Sequence, residues 1–306
     1  MIPATALAAV PGAGPDDPPP RVVPLGGGLL NRTFLVETRA GRYVLRLAAD
    51  ATPMRELGVD RAFELAAQRL AAGAGLAPHV VASAEDHAFL VSEFVAGEAG
   101  SEVRSETPAG LRRLGETLAR LRRLPVAGLA SVGRSCTGTA SEDDAPRARA
   151  SRPPPNLIER TRWLVGRARA QAGRDAAASL ARALEAAEQG WLAAGAADGA
   201  ARRARCLVHS DPNPGNVLWP PGDGPLLLLD WEYAHVGDPL QDPAAWLQSC
   251  PAWRGREARV LRACGLDDVA DAGMLAGMVR VYEALGQAWL ALAETAAGIP
   301  AGRRAN

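Results

Sequence analysis

The chain has no lysine: all 34 of its Lys-plus-Arg residues are arginine. Every fixed side-chain cation is therefore a guanidinium, which is planar, permanently charged and able to grip phosphate oxygens two at a time. Cysteine is scarce too. Cys136, Cys206, Cys250 and Cys264 form no CxxC pair and no metal-ligand spacing. They read as free thiols of a reducing compartment, and a cytoplasmic location is expected. Net charge is absent as well, with 34 acidic residues against the 34 basic ones. No global field draws such a chain to nucleic acid or to an anionic membrane. No apolar run of about 18 residues occurs, so no spanning helix is expected. The opening stretch, MIPATALAAVPGAGPDD, lacks the basic start of a signal peptide. Nothing in the composition sets an oligomeric state.

What the chain does have is concentrated in its second half. His209-Ser210-Asp211-Pro212-Asn213-Pro214-Gly215-Asn216 is followed by an apolar run, Leu226 to Leu229, that ends in Asp230. Cys206-Leu207-Val208 ahead of the loop reads as a short strand. The later run is too short for a helix and reads as a buried strand. The Pro-Pro-Gly-Asp-Gly-Pro stretch at 220–225 supplies the turn between them. A loop holding one Asp and one Asn, beside a strand tipped by a second Asp, suits phosphoryl transfer. Asp211 can accept the hydrogen bond of an attacking hydroxyl, while Asn216 and Asp230 can hold Mg2+ against a nucleotide's phosphates. That reaction asks for positioned acceptors and hard oxygen ligands and for little covalent chemistry. His209 is expected to pack and to bond the backbone, and Asn213, between two prolines, reads as a turn residue.

The HxDxxxxN loop followed by LLLLDWEYAHVGDP resembles the aminoglycoside phosphotransferase and choline kinase superfamily. The DWEYA…GDP…D string is closest to choline kinases and bacterial thiamine kinases. The resemblance implies an α+β, two-lobed, protein-kinase-like fold. Residues 21–97 would form a small antiparallel β-sheet lobe with one helix, and 98–306 a larger, mainly helical lobe. It also implies Asp211 as catalytic base, Asn216 and Asp230 as metal ligands, and ATP with Mg2+ as cofactors. Residues 1–20, rich in Ala, Pro and Gly, read as a disordered tail.

In the smaller lobe, Gly26-Gly27-Gly28 lies between two predicted strands, where glycine lets backbone amides approach an anion. The stretch LGGGLLNRTFLV, with Asn31, resembles the start of choline and thiamine kinases, where this loop covers ATP. Val44-Leu45-Arg46-Leu47 stands where kinase-like folds place a phosphate-binding lysine, so Arg46 takes that role or is an exposed strand charge. Residues 59–72 form an amphipathic helix. Its Glu64 matches the glutamate that would brace Arg46, with Glu56 as the fallback. By the same resemblance the backbone of Glu93, Phe94 and Val95 would read adenine, and Gly97 reads as a hinge. Helices are expected at Pro108–Leu124, Asn156–Gly173 and Arg174–Ala193, with a flexible loop at 131–155. Arg122 stands where the family often has His.

Of the 14 aromatic residues, seven lie between Trp219 and Trp289. Aromatic faces can hold a cation such as choline or thiamine, at about 0.5–2 kcal/mol per contact. Tyr233, Trp246 and Tyr282 are the expected substrate contacts; the other reading is that these rings fill the core. Glu232 and Asp238 either meet a substrate's positive charge or serve the fold, Asp238 as a turn residue. Asp242, before Pro243, reads as a helix N-cap. The expected function is ATP-dependent phosphorylation of a small, cationic alcohol. An amino alcohol, a sugar or an aminoglycoside is the alternative acceptor. A non-catalytic nucleotide-binding module of the same fold is a further alternative.

Overall fold

The computed structural model describes residues 1–26, 31–48, 59–129, 156–195 and 203–296. Gly27, Gly28, Glu56 and the loop expected at 131–155 lie outside the described residues.

Alternating apolar residues build a meander of β1 (Arg21–Leu25), β2 (Arg32–Thr38) and β3 (Gly41–Leu47). β5 (Phe89–Glu93) and β4 (Val80–Ser83) complete a five-stranded antiparallel sheet of order β1-β2-β3-β5-β4. Side chains along a strand alternate between faces. On β3 this sends Leu45 and Leu47 into a buried cluster and turns Arg46 to the other side.

That buried cluster corrects the expectation of a disordered tail. α1 (Ala4–Ala8) and the turns after it lay Ala6, Val10 and Ala13 against Val36, Leu45, Leu47 and Val91. The Thr38 hydroxyl donates to the Pro11 carbonyl at 2.8 Å. The small residues that suggest disorder are what let this segment lie close to the sheet. At Gly12, whose φ is 74°, a Cβ would come within 3.0 Å of Thr38 Oγ1.

α2 (Arg61–Gly73) begins where the Asp60 side chain accepts the Phe63 N–H at 3.1 Å. Its buried face carries Glu64, Ala67, Gln68, Ala71 and Ala72 at helical spacing. From β5 the chain passes Gly97 into β6 (Glu98–Ala99). A Cβ at Gly97 would sit 2.7 Å from the Trp219 carbonyl oxygen, so only glycine permits this approach.

The larger lobe holds α3 (Glu102–Ser105), α4 (Pro108–Arg122), α5 (Leu157–Gln171), α6 (Arg174–Ala193), α7 (Gln241–Ser249), α8 (Glu257–Cys264) and α9 (Ala272–Ala296). The leucine stripe of α4 (Leu111, Leu114, Leu118 and Leu121) is buried in the main core. Arg122 donates to the carbonyls of Cys264 and Gly265, satisfying the last turn of α8. α9 packs along α5 and α6. It crosses α6 so closely that a Cβ on Gly277 would lie 2.3 Å from the Gly190 carbonyl oxygen.

Two short sheets frame the loop that carries Asp211. β7 (Cys206–Val208) pairs with β10 (His235–Gly237). β8 (Val217–Trp219) pairs with β9 (Leu227–Leu228) and with β6. The loop from β7 to β8 and the end of β9 are thereby brought side by side. No described helix is long and apolar enough to cross a membrane. Cys206 and Cys264 are buried free thiols, and Cys250 is buried too.

Candidate active site

The loop after β7 is shaped by its own amides and carboxyls. Asn213 Oδ1 accepts the N–H of Gly215 at 2.8 Å and of Asn216 at 3.3 Å, closing a single turn. Asn213 Nδ2 donates to one carboxylate oxygen of Asp211 at 2.8 Å. Asn216 Nδ2 donates to the other at 2.9 Å and to the Asp211 carbonyl at 3.1 Å. Asp211 is thus held by both oxygens. Burial pushes its pKa up to about 7, against the pull of the two amides. Asn213 is more than a turn residue, since it closes the turn and orients the acid.

Behind the loop, Asp242 accepts the N–H groups of His209 at 3.1 Å and Ser210 at 2.7 Å. These bonds hold Ser210 at a φ of 72°, a region few non-glycine residues enter. The N-cap expected at Asp242 is corrected: Leu240 occupies that position, and the carboxylate anchors the loop from the first turn of α7. His209 Nε2 donates to the Leu229 carbonyl at 2.8 Å, and Nδ1 accepts the Asp211 N–H at 3.4 Å. Burial lowers its pKa to about 4, so the ring is a neutral strut between loop and strand. It stands edge-on to Trp231 at 4.7 Å.

Asp230 follows β9 with a φ of 58° and side-chain exposure of 36%. It pairs with Arg46 at 3.0 Å, and Arg46 also pairs with Glu64, which is 2% exposed. Burial alone would lower the Arg46 pKa; Glu64, Asp230 and Glu232 outweigh it and raise it. Burial raises that of Asp230 despite Arg46. The expected brace between strand cation and helix acid is present.

A second arginine, which carries no motif, joins this network. Arg61, in the first turn of α2, bonds Glu64 at 2.7 Å, Glu232 at 3.3 Å and Asn31 Oδ1 at 2.8 Å. Asn31 Nδ2 in turn donates to Glu232 at 2.9 Å. One network therefore joins the end of the glycine segment, the small-lobe helix and the segment after Asp230. Burial, then the neighbouring Asp230, push the Glu232 pKa up to about 7.

A cavity of about 900 Å³ lies between the lobes. Gly26, Arg46, Glu93, Phe94 and Val95 line it from the small lobe, and Asp211, Asn216, Asp230, Tyr233 and Tyr282 from the large one. Two expected substrate contacts are not brought to it. Asp238 forks with the guanidinium of Arg203 at 2.8–3.1 Å in the interior and caps Leu240 N–H, so it is a structural acid. Trp246 is 1% exposed and stacks near Trp253 in the core, 6.2 Å between ring centres. Tyr233 and Tyr282 do face the cavity, each tied by its hydroxyl: Trp289 Nε1 donates to Tyr233 at 2.5 Å, and Tyr282 bonds Ser210 Oγ at 2.9 Å.

A model of the phosphotransferase enzyme family matches residues 21–297. The chain belongs to that family. Solved structures share the phosphotransferase's two-lobed, kinase-like fold. A choline/ethanolamine kinase family protein from Mesorhizobium loti is 20% identical, with 98% of this chain and 87% of that one covered and a TM-score of 0.55. The choline kinase LicA from Streptococcus pneumoniae is 16% identical over 94% of this chain and 88% of that one, with a TM-score of 0.62; LicA is also known in complex with AMP. A thermostable mutant of an aminoglycoside phosphotransferase is 19% identical over 98% and 100% of the two chains, with a TM-score of 0.56. At such identities the likeness is one of fold. No curated protein matches the phosphotransferase in sequence.

Proposed function

We propose that the protein transfers the γ-phosphoryl group of ATP to the hydroxyl of a small molecule. The observation that carries this reading is the convergence of Asp211, Asn216 and Asp230 with Arg46 on one interlobe cavity. Arg46, braced by Glu64, would grip phosphate oxygens, as a fork-shaped guanidinium suits. The segment Glu93–Val95 would hold the base. The N–H of Glu93 already bonds His79 and that of Phe94 bonds Arg42, which leaves Val95 as the amide of the three for adenine.

Mg2+ fits the donor set. Asn216, its amide nitrogen turned to Asp211, has its carbonyl oxygen for a cation, and Asp230 offers a carboxylate. Among the described residues no three His, Cys, Asp or Glu side chains form a metal cage of their own. Mg2+ is commonly held by one or two carboxylates together with phosphates and water. When bound, Mg2+ neutralises charge on the phosphates. Asp211 accepts the acceptor's hydroxyl proton as the new O–P bond forms and ADP departs.

The expected cationic acceptor loses support from the carboxylates. Glu232 is engaged by Arg61 and Asn31, and Asp238 by Arg203. The proposed acceptor keeps its hydroxyl, which Asp211 can meet. Asp211→Ala should lower kcat by about 10²–10⁴-fold, the usual worth of a positioned base, while a thermal shift with Mg-ATP persists. Near-normal turnover by that variant on any accepted alcohol would refute the assignment.

A further inference from the structure

Behind Asp211 the cavity wall changes character. Arg160, in the first turn of α5, lines it together with Tyr233, Tyr282 and Ser210. Its Nε is shielded from solvent and meets no hydrogen-bond acceptor. No described acidic residue forms an ion pair with it. The charged or titratable groups that bear on it are the hydroxyls of Tyr233 and Tyr282 and the ring of His235. Both tyrosines are neutral at ordinary pH, because burial raises their pKa values well above the usual one. Burial also keeps His235 neutral, its pKa pushed down to about 4.

A half-buried guanidinium whose Nε is cut off from solvent and from any acceptor is costly, and its position in a helix's first turn adds to the cost, because the helix dipole there is positive. In a finished interior such a group is paired. Every other arginine of the site has its acid: Arg46 has Glu64 and Asp230, and Arg61 has Glu64 and Glu232. Asp211 shares the cavity with Arg160, but its two oxygens are held by Asn213 and Asn216, and it must stay open to the acceptor hydroxyl.

We infer that Arg160 is the counter-charge for an acceptor that carries a carboxylate as well as its hydroxyl, a hydroxy acid or hydroxy amino acid, instead of a quaternary or primary ammonium. This rests on the kinase reading of the same cavity. The acceptor's carboxylate pairs with the Arg160 fork, the tyrosine faces pack its carbon chain, and its hydroxyl reaches Asp211. The hydroxyl oxygen attacks the γ-phosphorus of ATP, Asp211 takes the proton, and ADP leaves. The products are an O-phospho acid and ADP.

The test is a coupled ADP-release assay on three matched acceptors: 4-hydroxybutanoate, 1,4-butanediol and 4-amino-1-butanol, with L-homoserine and choline beside them. The carboxylates should be preferred over the ammonium compounds by about 10–100-fold in kcat/KM, the range expected of one charged hydrogen-bonding pair. Arg160→Gln should erase that preference through the acceptor's KM, with the KM for ATP unchanged. Arg160→Lys should keep part of it, and Arg160→Glu should turn it toward 4-amino-1-butanol. Wild-type preference for choline or 4-amino-1-butanol overturns the inference and leaves the kinase reading intact. So does an Arg160→Gln variant that handles the carboxylates as well as wild type.

A second arm needs no turnover. Thermal melts with 4-hydroxybutanoate, with and without Mg-AMP-PNP, should show a saturable shift in the wild type that Arg160→Gln lacks. Absence of both turnover and shift with every carboxylate also overturns the inference. Loss of the shift with Mg-AMP-PNP alone is the separate sign that the nucleotide site itself has been misread.

Discussion

The two ends of the cavity are built on different terms. At the nucleotide end, every charged group named has its partner within the chain: Arg46 with Glu64 and Asp230, Arg61 with Glu64 and Glu232, Glu232 with Asn31. At the acceptor end, Arg160 stands among tyrosine hydroxyls, and no described acidic residue forms an ion pair with it. A network satisfied in advance is preorganised and has little to gain from discriminating between ligands. A buried group left unsatisfied discriminates strongly, because a ligand that cannot pair with it leaves the desolvation penalty in place. On the reading proposed above, chemistry is fixed at one end of the cavity and specificity at the other.

The comparison is sharpest where a charge pair serves neither end. Arg203 and Asp238 are 2% and 7% exposed and bond through a fork. Breaking such a pair from one side leaves an uncompensated buried charge, a loss of about 3–5 kcal/mol. Arg203→Met should therefore lower the denaturant midpoint severely while the folded fraction keeps its KM for both substrates. A selective rise in acceptor KM would return Asp238 to the substrate site.

Arg46 breaks the nucleotide end more gently. Arg46→Lys keeps the charge but has a single ammonium where the fork reaches both Glu64 and Asp230. The KM for ATP should rise by about 10–100-fold, in keeping with loss of one charge-assisted bond. The preference among matched acceptors should be untouched. If both change together, the two ends are not separable.

That division also explains what the sequence shows on its face. Asp211, Asn216 and Asp230 are legible because the fold must place them at fixed offsets between short strands, so spacing and flanking residues mark them together. Arg46 and Glu64 are legible by register, since a strand cation and a helix acid face each other across the small lobe. Arg160 and Arg61 are not legible. Each sits in the first turn of a helix among other charged residues, where a solvated position is the ordinary expectation, and only packing of α5 on α9 or α2 on the sheet encloses them. Asp238 misleads for the opposite reason. Its GDP string allows either a turn residue or an acid facing a cationic substrate, while Arg203, thirty-five positions earlier, is what claims it. The order of the first 20 residues is hidden as well, because composition alone cannot show that Ala6, Val10 and Ala13 share a face.

The smallest effect concerns the strut beneath both ends. His209 is buried and neutral, with its pKa lowered to about 4. For a base lowered by folding, the unfolded chain binds the extra proton between the two pKa values, about 4 and about 6.5. Stability from this group is therefore complete above about 6.5 and is lost as pH falls toward 4. Asp242, raised by burial to about 6, acts with the opposite sign over its own window, because there the folded chain holds the proton. His209→Gln offers an amide in place of Nε2–H to the Leu229 carbonyl but cannot titrate. The variant should be less stable than wild type at neutral pH, by about 1–2 kcal/mol for an imperfect replacement of a buried hydrogen-bonded ring. That deficit should shrink as pH is lowered from 6.5 to 4. Denaturant midpoints measured across that range settle it: a deficit that stays constant, or grows, would mean that the ring is already charged in the folded protein and is available for proton transfer.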